Sequence, residues 1–232
     1  VAIHVSKMHP HLKITVNDLY EPLANFWSNL QMFGTELYTD LKNLKIANCN
    51  QDSARCLFAE MKDVINDKSK TDLERAVAFY VVNKCSFSGL TESSSFSAQA
   101  SDSNFSMRGI EKLLGYQEII SHWHINQYSY EYLMRENIHD GIFMYLDPPY
   151  DIKDNLYGKK GAMHKGFDHD EFFTSCDISK QDCLVSYNTT QVIKSRFLNW
   201  TASEFDLTYT MRSVGEYMND QKHRKELLLS NY

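Results

Sequence analysis

The chain has 232 residues, 43% of them hydrophobic and 13% aromatic. That is enough apolar material for one large domain, or one domain with a small inserted lobe, and too much for a disordered chain. Its net charge of −6 counts against a protein that coats nucleic acid. It leaves room for an enzyme with one local basic face, because attraction depends on where the charges sit. The five cysteines, Cys49, Cys56, Cys85, Cys176 and Cys183, are odd in number and form no C-x-x-C pair, which reads as reduced thiols in a cytoplasmic protein. His9/His11 and His122/His124 have no further Cys or His at zinc spacing, so no metal site is expected. No apolar run approaches the roughly 20 residues of a membrane span.

In chain order, Lys13 to Val16 is a short β-type run that ends at Asn17-Asp18. Pro22 sits where a helix begins, and Leu19, Leu23, Phe26, Trp27, Leu30 and Phe33 recur at helical spacing. A second helix is predicted over Ser53 to Ile65, with Leu57, Phe58, Met61 and Val64 on one face. A third begins with the capping box Thr71-Asp72-Leu73-Glu74 and runs to about Asn83. Residues 91–109 are serine-rich and poor in aliphatics, which reads as a loop or a lobe outside the main core, followed by a helix near Ile110 to His122.

Ile142 to Leu146 is an unalternating apolar run, the pattern of a strand buried on both faces. Cys183 to Tyr187 is another; residues 190–198 look helical. Phe205 to Thr210 alternates like a strand, and Glu226 to Asn231 reads as the last one. Strands alternating with helices predict an α/β domain with a mainly parallel sheet, its final two strands forming an antiparallel edge.

In open α/β sheets ligands bind beyond the carboxyl ends of strands. Asp18 ends the first strand, where a carboxylate can take both hydroxyls of a ribose, although a helix N-cap explains it nearly as well. Asp147-Pro148-Pro149-Tyr150 ends the strand at 142–146 and is far more specific. Two successive prolines fix their own φ and extend the residue before each, so the Asp147 carboxyl and the Pro148 carbonyl can point at one spot. Two acceptors there can take both hydrogens of an exocyclic amine and make its nitrogen more nucleophilic. Tyr150 can stack on the base, a contact worth about 1–3 kcal/mol.

This tetrapeptide resembles the catalytic motif of amino-methyltransferases in the form typical of adenine enzymes, and the chain as a whole is similar to the Dam-type DNA adenine methyltransferases of bacteria and their phages. Ile14 to Asp18 with Glu21-Pro22-Leu23 resembles the family's ribose-binding strand and turn. Asn83 to Leu90 resembles its Asn-x-x-x-Phe-x-Gly-hydrophobic segment, Ser186-Tyr187-Asn188 its Ser-x-Asn turn, and Arg224 to Tyr232 its final strand.

The resemblance implies a Rossmann-like methyltransferase fold. The catalytic domain would span 1–90 and 128–232, with a target-recognition insertion at 91–127. It implies S-adenosyl-L-methionine as cofactor, double-stranded DNA as partner, a bacterial or phage-infected cytoplasm as location, and direct methyl transfer to an adenine flipped out of the duplex. Asp18, Tyr130 and Asp147 would bind the cofactor. Asp147, Pro148, Pro149 and Tyr150 would form the catalytic turn, with Tyr150 on the flipped adenine. Arg108, Lys112, Gln117, Lys153, Lys159 and Lys160 are candidates for DNA contacts, with Lys165, Lys222, Arg224 and Lys225 as further basic groups.

The family's first strand and aromatic-x-Gly-x-Gly turn have no counterpart here, since Val1 to Met8 resembles the helix that follows that turn. Two other readings stand beside this one. One is an amino-methyltransferase acting on cytosine or RNA; the other is an inactive methyltransferase-like DNA-binding subunit.

Overall fold

The strand, acidic turn and helix expected near the beginning are all present. In the computed structural model, which describes residues 1–89, 91–136, 141–150, 166–206 and 225–232, strand β1 (Thr15–Asn17) runs into Asp18 and helix α2 (Glu21–Ala47) follows. Pro22 lies in the first turn of α2, where a fixed φ and a missing N–H cost nothing. The described residues fall into two units, one up to Ser129 and the other from Tyr130 on.

In the first unit Phe26, Leu30, Leu37 and Leu41 of α2 enter the core. Two residues of the expected apolar face do not. Leu19 precedes the helix, and Phe33 leaves helical geometry (φ −129°, ψ 36°) at a kink; both are exposed. Next to the kink, Gly34 is closely approached by the end of the Gln117 side chain, which would have to move aside for a Cβ there.

Helix α3 (Gln51–Val64) starts earlier than the hydrophobic pattern indicates, because the Asn50 side chain accepts the Ser53 N–H and caps it. The capping box before α4 (Asp72–Cys85) forms as predicted: the Thr71 hydroxyl accepts the Glu74 N–H at 3.2 Å and the Glu74 carboxylate accepts the Thr71 N–H at 2.8 Å. Ala76 to Val82 are all buried, which makes α4 the central helix of this unit. Arg75, buried on α4, is neutralised by Glu21 at 2.5 Å and by Asp72.

The serine-rich stretch is more ordered than a loop. Ser97 caps α5 (Ala98–Ser103) and Ser106 caps α6 (Met107–Ile120). Serine is poor inside helices yet strong at their N-termini, so the composition marks helix starts. Phe105, Ile110, Leu113 and Ile120 join the same core as α2 and α4, so residues 91–127 pack within this unit. Gln31 of α2 donates to the carbonyls of Ile120 and Trp123. The Trp123 indole donates to Ser6 of α1 (Ala2–Met8) at 2.7 Å. Strand β2 (His124–Asn126) then pairs parallel with β1.

The second unit contains α7 (Tyr130–Glu136), β3 (Phe143–Leu146), α8 (His169–Asp177), β4 (Asp182–Asn188), α9 (Gln191–Arg196), β5 (Thr201–Asp206) and β6 (Lys225–Ser230). Its sheet has the order β3-β4-β6-β5. β3 and β4 are parallel, whereas β6 runs antiparallel to both β4 and β5. The expected antiparallel edge is thus present. β5 begins at Thr201 rather than Phe205; all six of its residues are exposed, so burial imposed no pattern to read. Residues 207–210 lie outside the described residues.

The apolar face of this sheet carries Cys183, Val185, Tyr187, Leu227 and Leu229, packed against Phe172 and Cys176 of α8 and Ile193 and Phe197 around α9. The expectation that β3 is buried on both faces does not hold within this unit. Phe143 is 55% exposed and Tyr145 is also exposed, because the helices described here cover one face only. Among the described residues, no helix is long and apolar enough to cross a membrane, and no group of three His, Cys, Asp or Glu could hold a metal ion.

Candidate active site

The site grows out of strand register. Tyr145 pairs with Leu184 and Leu146 with Val185, so one further step sets Asp147 beside Ser186. Side chains alternate along a strand, which puts Tyr145 and Asp147 on the same face as Leu184 and Ser186. Ser186 is buried; its hydroxyl donates to Asp147 Oδ1 at 2.9 Å and accepts the Tyr145 hydroxyl at 3.1 Å. A relay from β3 to β4 and back thus fixes the carboxyl at the end of β3.

Asp147 touches solvent, yet the protein around it strips away enough water to raise its pKa above the ordinary carboxylate value. The Ser186 hydrogen bond opposes that rise and the nearby Glu226 carboxylate adds to it. Pro148 is buried and Pro149 half-buried. Tyr150 is half-buried; its hydroxyl donates to Glu226 Oε2 at 2.6 Å and its ring lies 6.3 Å from that of Tyr187, tilted by 30°. Glu226 itself is 5% exposed, on β6 opposite Asn188. The Tyr187 hydroxyl bonds His169 Nδ1 at the start of α8.

Of the other residues singled out from the sequence, Tyr130 belongs to this same unit, at the first position of α7. Its ring packs on Phe172 at 5.1 Å and Phe167 at 5.7 Å, and burial pushes its hydroxyl pKa up, the neighbouring Glu131 adding to the effect. Asp18 lies in the first unit and is exposed at the end of β1. Its Oδ1 accepts the Tyr20 N–H at 2.8 Å, and its own N–H donates to the Asn126 carbonyl. Asn17, just before it, exchanges two hydrogen bonds with the Tyr128 backbone and so ties the ends of β1 and β2 together.

Arg108 and Lys112 are exposed on α6. Gln117 is half-buried on the same helix, set against Gly34 and donating to the Gln31 carbonyl. Lys153, Lys159, Lys160, Lys165, Lys222 and Arg224 lie outside the described residues.

Burial pushes the thiols of Cys85, Cys176 and Cys183 up, Cys85 to about 12, so all three stay protonated at neutral pH. Ser186 entered the sequence reading only as part of a turn pattern, and Glu226 only as the first residue of a strand. Tyr145 looked like one more apolar strand residue. Each gains meaning through cross-strand register, which a single sequence does not display.

A mixed α/β fold in which an oriented acid opens a diproline-tyrosine turn at a parallel strand's carboxyl end places the protein among the methyltransferases that act on amino groups. The chain belongs to the D12 class N6 adenine-specific DNA methyltransferase family, whose model matches residues 1–211. None of the curated proteins compared with the chain matches it. Between the targets the tetrapeptide left open, the family specifies adenine in DNA over cytosine or RNA.

Proposed function

We propose that the protein uses S-adenosyl-L-methionine to methylate the exocyclic amine of an adenine rotated out of double-stranded DNA. The observation that carries this reading is the Asp147 carboxyl, held at the end of β3 by Ser186 and ahead of two prolines. The side chains present fit the cofactor's chemistry. Asp18, anchored by the Tyr20 N–H, suits a ribose diol, and Asp147, partly stripped of water, suits an amine or ammonium group. Tyr130 is assigned to the neighbourhood of the cofactor adenine.

Bound S-adenosyl-L-methionine supplies an electrophilic methyl group on a sulfonium; the remaining tasks fall to the protein. Asp147 and the Pro148 carbonyl accept the two hydrogens of the target amine, which draws its lone pair out of the ring. Tyr150 stacks on the extruded base. No cysteine sits in a nucleophile motif, so the assigned chemistry is direct transfer, and catalysis comes from positioning and preorganised acceptors. The two sheets are read as parts of a Rossmann-like methyltransferase fold, and residues 91–127 as the target-recognition lobe. Arg108 and Lys112 are assigned to phosphate or base-edge contacts, since both are exposed on α6.

The test is transfer of label from methyl-tritiated S-adenosyl-L-methionine to duplex DNA, followed by digestion to nucleosides. Label in N6-methyladenine, with 2-aminopurine at the target position brightening as the enzyme binds, is the expected result. Absence of label from adenine, with cofactor and duplex both bound, rejects the proposal.

A further inference from the structure

A buried carboxylate is costly unless something nearby makes its charge worthwhile. Glu226 is buried, 5% exposed, on the second strand from the sheet edge, and among its contacts it accepts the Tyr150 hydroxyl at 2.6 Å. It sits on the face of the sheet opposite Cys183, Val185, Tyr187, Leu227 and Leu229. Register pairs Ser186 with Leu228 and Asn188 with Glu226, so Glu226 shares a face with the hydroxyl that holds Asp147. A hydrogen bond at the far end of a phenol fixes the direction of the ring axis. It leaves rotation about that axis open, and here the Tyr187 ring, tilted by only 30°, limits it.

We propose that Glu226 is a positioning residue for methyl transfer: by accepting the Tyr150 hydroxyl it sets the ring on which the target adenine stacks. This rests on the reading of Tyr150 as the stacking residue. Glu226 touches neither base nor methyl donor in this scheme and acts through Tyr150.

The test compares single-turnover methyl transfer and duplex affinity for Glu226→Gln, Glu226→Ala, Tyr150→Phe, Tyr150→Ala and the Glu226→Ala/Tyr150→Phe pair. Glutamine keeps an acceptor, so Glu226→Gln stays within about 3-fold of wild type. Glu226→Ala and Tyr150→Phe each slow transfer by roughly 5- to 10-fold, the range for a lost hydrogen bond, with duplex affinity almost unchanged. The double variant is no slower than Tyr150→Phe alone.

Losses that multiply in the double variant overturn the proposal, as does a Glu226→Ala enzyme that loses stability but transfers at the wild-type rate when folded. If Glu226→Ala does not fold, Tyr150→Phe decides, since it keeps the ring and removes the donor: slowed transfer supports the assignment and an unchanged rate overturns it. Tyr150→Ala separates the two claims. A normal rate in that variant removes the stacking reading itself, whereas a loss there beside an unaffected Tyr150→Phe removes only the role of Glu226.

Discussion

Both units use polar side chains to cap helices and pair charges, Asp168, Thr190 and the Arg196–Asp170 pair doing so in the second, and they differ in what the second adds. In the first, hydroxyls, amides and carboxylates complete the backbone and balance charge: Asn50, Thr71, Ser97 and Ser106 cap helices, Gln31 satisfies carbonyls beyond α6, and Glu21 and Asp72 neutralise Arg75. In the second, side chains also bond across strands, Tyr145 to Ser186 to Asp147, and Tyr150 bonds Glu226 on β6. The contrast is sharpest between the two acidic strand ends. Asp18 takes a local N–H two residues on, as turn aspartates do, whereas Asp147 takes a hydroxyl from a neighbouring strand and is held above its ordinary pKa by desolvation. Polar groups that finish a fold affect stability when removed; under the proposed function, those that orient Asp147 affect rate.

Three substitutions sharpen this comparison. The largest effect is expected from Arg75→Ala, which strips a buried cation from two carboxylates and its helix from its packing. It lowers the free energy of unfolding by roughly 1–3 kcal/mol, largely through lost packing of the Arg75 stem, read from urea titration; a loss below a few tenths would show that the ion pairs in the first unit are incidental. Next, Tyr150→Ala slows methyl transfer by roughly 5- to 150-fold, the equivalent of about 1–3 kcal/mol of stacking, measured in single turnover.

Smaller is the effect of Ser186→Ala, which moves a pH dependence. The Ser186 hydrogen bond lowers the Asp147 pKa, so its loss carries that pKa further up. Because ionised Asp147 is the acceptor, the rate falls as pH drops through that pKa. The acid limb of the profile shifts to higher pH in the variant, while rates on the plateau change little. An unmoved limb would mean that another group governs it.

Much of the helical unit could be read directly, because its signals are local. Thr71-Asp72-Leu73-Glu74 announces a helix start within four residues, and Pro22 another. The serine stretch was misread because composition was weighed without position: Ser97 and Ser106 each stand one residue before a helix. The kink at Phe33 interrupts an otherwise regular apolar pattern, and the packing of the Gln117 side chain beside Gly34 involves a helix far along the chain.

The proposed catalytic segment stood out in the sequence because Asp147-Pro148-Pro149-Tyr150 is a rare combination at the end of a recognisable strand. Its supports were not. Ser186 lies 39 residues away from Asp147, and Glu226 lies 76 from Tyr150. Only the β3-β4-β6 pairing brings them to the turn.

The central claim is tested most directly by Asp147→Ala, measured for single-turnover methylation of duplex DNA and for its unfolding midpoint side by side. A carboxyl whose pKa is raised by the fold favours the folded state when protonated, and that contribution is lost as pH rises through the raised pKa. Ionised Asp147 therefore costs stability, and under the proposed function it is the form that serves transfer. The expected result is a rate reduced by at least about 100-fold with a midpoint that does not fall by more than the lost Ser186 hydrogen bond, roughly 1 kcal/mol. Methyl transfer within a few-fold of wild type in the folded variant would contradict the account.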